Sequence, residues 1–449
     1  MTNDMTKGNT TKLLLSFTFP MLVGNIFQQI YSLVDTVIVG KYLGADALAG
    51  IGSIGSVMFL ITCLIVGLNN GAGIIIAQCF GAANYNQLKK AVTSMIYITG
   101  VLTLIMTISG RLLVSVFLKI LGIPDNIAGY AAAYLQIMIV FITGNMAYNA
   151  AGAILRNVGD SKTPLYALIV ASVVNIALDL VFILRFDLGI AGAAYATIIA
   201  QCLSAVICIV HLFRKRRELH IDGLQKTPDK KMIALIIRTG LPSAFQSGAI
   251  SLGGLSVQRL INSYGEAAIA ACTAAGKLDM VAIQFIVSIG TSMSVFTGQN
   301  MGQQNFDRIR EGLRATLRLL MAAAISIAIF VLCFKGNIMR LFLDAQTEQT
   351  AIGIGETYLS IIGIAYIIAG IMQSYQNLIR GAGDVNICMV AGLSELGARI
   401  LFAYLLSHLI GLTGIWLATP ISWGCGCIIP VVRYYTGKWK TKGLIQQEV

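Results

Sequence analysis

Apolar residues along this chain do not alternate with polar ones at a strand or surface-helix period. They run on for roughly 20 residues at a time, the length of helix that spans about 30 Å of hydrocarbon. Twelve such runs occur, at 13–40, 48–74, 91–119, 127–152, 163–185, 189–213, 233–262, 267–296, 312–334, 354–378, 386–409 and 412–435. Short polar segments separate them, and the first dozen residues, MTNDMTKGNTTK, are polar and lack the apolar core of a secretory signal. The pattern predicts an all-α integral membrane protein of twelve transmembrane helices, with the N-terminus in the cytoplasm.

The runs repeat. QCFGAANYNQLKKA, from Gln78, is answered by QNMGQQNFDRIREG, from Gln299, with Gln78, Gly81 and Asn84 each 221 residues before Gln299, Gly302 and Asn305. ILRNVGD, ending at Asp160, is answered at 224 by LIRGAGD, ending at Asp384; GIAGAAYAT answers GLTGIWLAT at 222, and Pro20 answers Pro242 at 222. Several anchors in one order and at nearly one offset indicate a duplicated six-helix unit. Six is even, so the copies share one orientation and are related by an axis along the membrane normal, as in some secondary transporters. The expected organisation is an N-lobe over 1–210, a basic linker over 211–231 and a C-lobe over 232–449.

Charge fixes the orientation. With the N-terminus inside, 23 of the 32 Lys and Arg fall at cytoplasmic ends and loops, seven at the outer side, and Lys277 and Arg399 within spans. That bias places both termini in the cytoplasm, in a cell (cytoplasmic, or inner) membrane. The linker from His211 to Lys231 holds seven of the cations and reads as an orientation signal rather than as a nucleic-acid surface, although the net charge is +12. Only 12 % of residues are charged and 56 % are hydrophobic, and Gly, at 46 residues, is abundant where helices must pack closely in lipid. The nine cysteines contain no CxxC and lie mostly in apolar runs, which argues against disulfides and a metal site.

Acids inside such runs are costly and therefore mark candidate chemistry. Asp35 stands six residues before Lys41, and Asp179 six before Arg185, in two spans that run in the same direction. At 1.5 Å per residue both lie roughly 9 Å below the outer boundary, in one layer. Asn175 is one turn from Asp179 on the same helical face, and Thr197 enters the returning sixth span at a depth of roughly 12 Å. Two carboxyl groups, an amide and a hydroxyl in a low dielectric form a site for one hard cation: a shared proton or Na⁺. The second lobe does not repeat the set. It has Lys277 and Asp279, which at i, i+2 do not face each other, and Glu395 and Arg399, which at i, i+4 form a structural ion pair. The Arg156 and Arg380 segments read as turns.

The order and spacing of DTVIVGKYLGADALA, RNVGDSKTP, NIALD and GAAYAT, in two matched lobes, resemble the multidrug and toxic compound extrusion (MATE) family over nearly the whole chain. The resemblance implies a V-shaped pair of lobes and a secondary antiporter that exports cationic or amphiphilic drugs against H⁺ or Na⁺ by alternating access. By position it assigns Asp35, Asn175, Asp179 and Thr197 to the cation site, Tyr134 and Asn149 to the same cavity, and Pro20 to a hinge in the first helix. Gln28, Gln29 and Tyr31, near Asp35, are candidates for contact with a cationic drug.

Two other classes fit the residues less well. A flippase for lipid-linked saccharides would need cations at membrane depth for a phosphate, and the first lobe has almost none. A membrane enzyme would need clustered acids or a phosphate loop, but the chain has no DDxxD, HExxH or GxxxxGK[ST] and only His211, His220 and His408. The sequence thus predicts a non-enzymatic, monomeric transporter. It would need the bilayer, a small-molecule drug and a coupling ion, H⁺ or Na⁺, with no cofactor, no nucleic acid and no metal beyond Na⁺ at the cation site.

Overall fold

The computed structural model describes residues 4–344 and 347–445. Fourteen α-helices carry the described chain, which contains no strand: α1 (Thr10–Leu43), α2 (Ala45–Ser53), α3 (Gly55–Gly81), α4 (Tyr85–Ile120), α5 (Asp125–Val140), α6 (Thr143–Asn157), α7 (Lys162–Leu180), α8 (Gly189–Arg214), α9 (Lys230–Asn262), α10 (Glu266–Gly302), α11 (Phe306–Phe342), α12 (Gln349–Gly381), α13 (Val385–Ile410) and α14 (Leu412–Tyr435). In lipid only such internally bonded backbone is tolerated.

Ten of these helices are long and apolar enough to cross a membrane, and α5 with α6, bent by 49° at a short break, makes an eleventh as one span. The seventh expected span, α9, forms a helix of 33 residues but carries Arg238, Gln246, Arg259 and several Ser and Gly, and does not meet the same criterion. The second expected span begins as α2 and resumes after Ile54 as α3, and the fifth ends in a π-helical turn, Val181–Arg185. Apolar length alone does not show such breaks, because they leave the hydropathy of the run unchanged.

The matched anchors are helix ends. Asn84 and Asn305 each cap the next helix, accepting from the N–H of Gln87 and Arg308, both at 3.1 Å. Each cap satisfies a donor that the first turn leaves without an intrahelical partner. Gly159 and Gly383 take φ of 95° and 97° ahead of Asp160 and Asp384, a left-handed turn that costs glycine little. Asp160 then accepts from the N–H groups of Lys162 and Thr163 and from the Thr163 hydroxyl.

Burial repeats as well. The central helices α3 and α10 bury 50 % and 56 % of their most apolar windows, whereas α4 and α11 bury 11 % and 22 % and leave Leu112, Ile120 and Leu341 bare. Residues this apolar and this exposed require lipid around them.

Two compact units result. One holds Val23–Leu241, with a core of Val39, Ile54, Leu135, Ile139, Ala193 and Ala194; the other holds Met5–Leu22 and the chain from Pro242 onward, with a core that includes Ile286, Leu320, Tyr366 and Trp423. The opening turns of α1 therefore belong with the second repeat, and those of α9 with the first. Pro20 and Pro242, both inside their helices, stand within two residues of these changes of membership.

Candidate functional site

Four helices of the first unit converge on one polar cluster. α1 supplies Tyr31 and Asp35, one turn apart; α7 supplies Asn175 and Asp179, also one turn apart; α5 brings Tyr134 and α8 brings Thr197. Asn175 and Asp179 are completely buried, Thr197 and Tyr134 nearly so, and Asp35 is half-buried. The common depth inferred from sequence corresponds to contact: the Asp35 and Asp179 carboxyl groups meet side chain to side chain. Tyr31 and Tyr134 lie with their hydroxyls beside Thr197.

The amide of Asn175 joins two members of the cluster. In the orientation that satisfies both neighbours, its NH₂ donates to Asp179 Oδ2 at 3.0 Å and its carbonyl accepts from the Thr197 backbone N–H at 3.2 Å. This ties α7 to α8 and leaves the second Asp179 oxygen free to point elsewhere. Asp35 Oδ1, Asp179 Oδ1 and Thr197 Oγ1 are all buried without a hydrogen-bond partner among the described residues. Buried polar atoms are ordinarily paired, and an orphan costs about 1–3 kcal/mol. Two carboxylates in contact would also repel, by about 4 kcal/mol at 4 Å and an effective dielectric constant of 20. One positive charge placed between them, a proton or a small hard cation, answers both costs with oxygen ligands alone.

The remaining sequence candidates are distributed around this cluster. Gln28 and Gln29 occupy α1 two turns before Asp35, exposed and half-buried respectively. Asn149, on α6, donates to the backbone carbonyl and side-chain oxygen of Asn145, at 2.9 and 3.1 Å, and has no hydrogen bond to the acid pair among the described residues. Pro20 is buried in the first turns of α1, which belong to the other unit.

The second unit holds a different cluster. Glu395 and Arg399 form the expected ion pair at 3.0 Å, and Arg399 Nε also donates to the Ser422 hydroxyl at 3.4 Å. Asp279 turns away from Lys277 and accepts from the hydroxyls of Tyr366 at 2.7 Å and Tyr358 at 3.5 Å. Sequence reasoning missed these tyrosines. For Tyr358 the available signal was the Tyr-Leu pair at 134–135, which recurs at 358–359 with the same offset of 224 as the Asp160 and Asp384 turns; Tyr366 has no such counterpart. The sequence also gave no sign that the 211–231 segment docks on α4. The Tyr97 hydroxyl donates to the Lys226 carbonyl, Lys89 and Lys90 approach Asp222 and Asp229, and Tyr85 stacks on His220.

Comparison with known proteins matches two segments of the chain, residues 20–181 and 242–405, to the family model MatE. The chain is 30 % identical to the probable multidrug resistance protein YoeA of Bacillus subtilis over 98 % of its own length and 97 % of that protein's. It is 28 % identical to the probable multidrug resistance protein YpnP of the same organism over 99 % of both chains. Among solved structures it shares the fold, with a TM-score of 0.89 and 22 % identity, of a MOP superfamily transporter from Pyrococcus furiosus, covering 97 % of this chain and 98 % of that one. A mutant form of the Vibrio cholerae MATE transporter VcmN gives a TM-score of 0.89 at 22 % identity, covering 95 % and 97 %.

Proposed function

The chain belongs to the MatE family of multidrug efflux transporters, and from that premise we propose that it is a secondary antiporter of the cytoplasmic membrane, with both termini in the cytoplasm. It exports cationic or amphiphilic compounds, working as a monomer by alternating access, in exchange for one cation held between Asp35 and Asp179. The observation that carries this reading is the trio of buried, unpaired oxygens on Asp35, Asp179 and Thr197, set around two carboxyl groups in contact.

The side chains divide the work. Asp35 and Asp179 take the coupling ion, H⁺ or Na⁺; Asn175 fixes one Asp179 oxygen so that the other faces Asp35; the Thr197 hydroxyl completes the oxygen set. Binding removes the repulsion between α1 and α7, which favours the arrangement in which those helices close on the ion. Drug and ion drive exchange only if each prefers a different arrangement. Gln28, Gln29 and Tyr31 lie within two turns of Asp35 on α1, so a drug resting on them would compete with closure around the cation. Pro20 removes one hydrogen bond of the α1 ladder and gives that helix a place to bend.

Export by sealed vesicles under an imposed pH gradient, and separately under a Na⁺ gradient, tests the function and names the ion. One gradient drives drug movement and the other does not. Equal, gradient-independent movement in both contradicts antiport.

A further inference from the structure

The second unit contains its own partly buried charge cluster, and one of its members is a cation that cannot leave. The repeat offset of 224, fixed by the Asp160 and Asp384 turns and by the Tyr-Leu pairs at 134–135 and 358–359, makes Tyr358 the counterpart of Tyr134 and Arg399 the counterpart of Asn175. At the position where the first unit has the amide that faces its acids, the second has a guanidinium. That guanidinium lies against Glu395 at 3.0 Å and Ser422 at 3.4 Å and within electrostatic reach of Asp279, whose own oxygens accept from Tyr358 and Tyr366.

We infer that Arg399 is a tethered cation: the second repeat retains a cation site, built from Asp279, Glu395, Tyr358, Tyr366 and Ser422, and keeps it filled with its own side chain. The donors are carboxylate and hydroxyl oxygens, the set that suits Na⁺, and one Arg among two acids repeats the charge balance of one cation held between the two carboxylates of the first unit. The Arg399 side chain is 16 % exposed and that of Glu395 5 %, so leaving either without its partner is expensive, which keeps Arg399 in place through the transport cycle. Coupling then runs through the first unit alone. This rests on the reading of Asp35 and Asp179 given above and adds a statement about the other half of the molecule.

The test uses the full-length protein carrying Asp35→Asn and Asp179→Asn, so that the first site is removed. Three tryptophans are present in the chain, and two of them report on this cluster: Trp416 packs on Tyr358 at 5.0 Å and Trp423 on Tyr366 at 6.4 Å. With Arg399 intact, exchanging choline for Na⁺ at constant ionic strength changes neither tryptophan emission nor the unfolding temperature. Adding Arg399→Gln opens the site: emission then responds saturably to Na⁺, and Tm rises by about 3 °C once Na⁺ exceeds its dissociation constant tenfold. Arg399→Lys, which keeps the charge, abolishes that response. Should Arg399→Gln not fold, Arg399→Gln with Glu395→Gln leaves Asp279 and the tyrosines to bind Na⁺ more weakly, and the same comparison is read. A Na⁺ response with Arg399 present, or none in the opened variants, overturns the inference. Neither result bears on whether Asp35 and Asp179 couple export, which is read by transport.

Discussion

At the scale of single residues the cluster is held by a few side chains with different tasks, and substitution separates them. Asn175→Ala removes the donor to Asp179 Oδ2 and the acceptor for the Thr197 N–H, so affinity for the coupling ion falls about tenfold while the protein stays folded; a titration of export rate against ion concentration measures it. Asn149→Ala breaks only local bonds to Asn145 and leaves ion affinity unchanged in the same titration. Gly383→Ala acts on stability instead. Its φ of 97° is strained for any Cβ, and the added carbon would sit 2.7 Å from the Lys442 carbonyl oxygen, so thermal unfolding in detergent should report a loss of about 1–3 kcal/mol. The acids were legible because carboxylates are rare in apolar runs and depth follows from counting residues. Asp279 was visible for the same reason, but its tyrosine partners lie 79 and 87 residues away on α12, a distance that residue counting along one helix does not cross.

At the scale of elements the repeats are defined by how helices start, stop and touch. Asn84→Ala and Asn305→Ala each remove one cap and should cost about 1 kcal/mol, by amounts that match because the two caps share their geometry. Gly71 on α3 meets the first turns of α9 backbone to backbone: a Cβ there would lie 2.4 Å from the Gly240 nitrogen. Gly71→Ala therefore pushes the two helices apart and lowers Tm more than Gly100→Ala, where a Cβ meets open space. Asp229 begins α9 by accepting from the Met232 N–H, which, with Lys90 nearby, holds its carboxyl below the usual carboxylate range. A lowered folded value means the contribution is present above the unfolded pKa of about 3.9 and is lost as pH falls through the folded one. The stability gap between the wild type and Asp229→Asn should therefore be open at neutral pH and close below about pH 4, as read by unfolding at a series of pH values. Twelve helical runs were legible from hydropathy; the breaks at Ile54 and between α5 and α6 were not, since apolar residues continue through them.

At the scale of the whole molecule, duplication is the organising fact, and the two copies have diverged in chemistry more than in fold. The cap, turn and proline anchors persist at offsets of 221 to 224, while an acid pair with unpaired oxygens stands in one unit and an acid cluster with a built-in Arg in the other. The same divergence reaches the helix ends: Asp160 pairs with His211 at 3.1 Å, and Asp384 with Arg433, 222 residues after His211. Each unit also includes the opening turns of the other repeat's first helix. The chain before α1 is fastened within the second unit by Arg308, which donates to the carbonyls of Met5 and Gly8 at 3.2 and 2.9 Å. Arg308→Ala should free that segment, and limited proteolysis should then cut before residue 10 at least several times faster. The duplication could be read from sequence because its anchors are polar residues in an apolar chain. The exchange of opening turns could not, because it depends on which neighbours a continuous helix meets along its length.

The central claim is that Asp35 and Asp179 together hold the ion whose movement drives export. The most direct measurement is drug export by the purified protein in sealed liposomes under the driving ion gradient, compared among the wild type, Asp35→Asn and Asp179→Asn at matched reconstitution. The expected result is gradient-driven export in the wild type and its loss in both variants, with their folding, read by tryptophan emission, unchanged. Full gradient-driven export in both variants would contradict it.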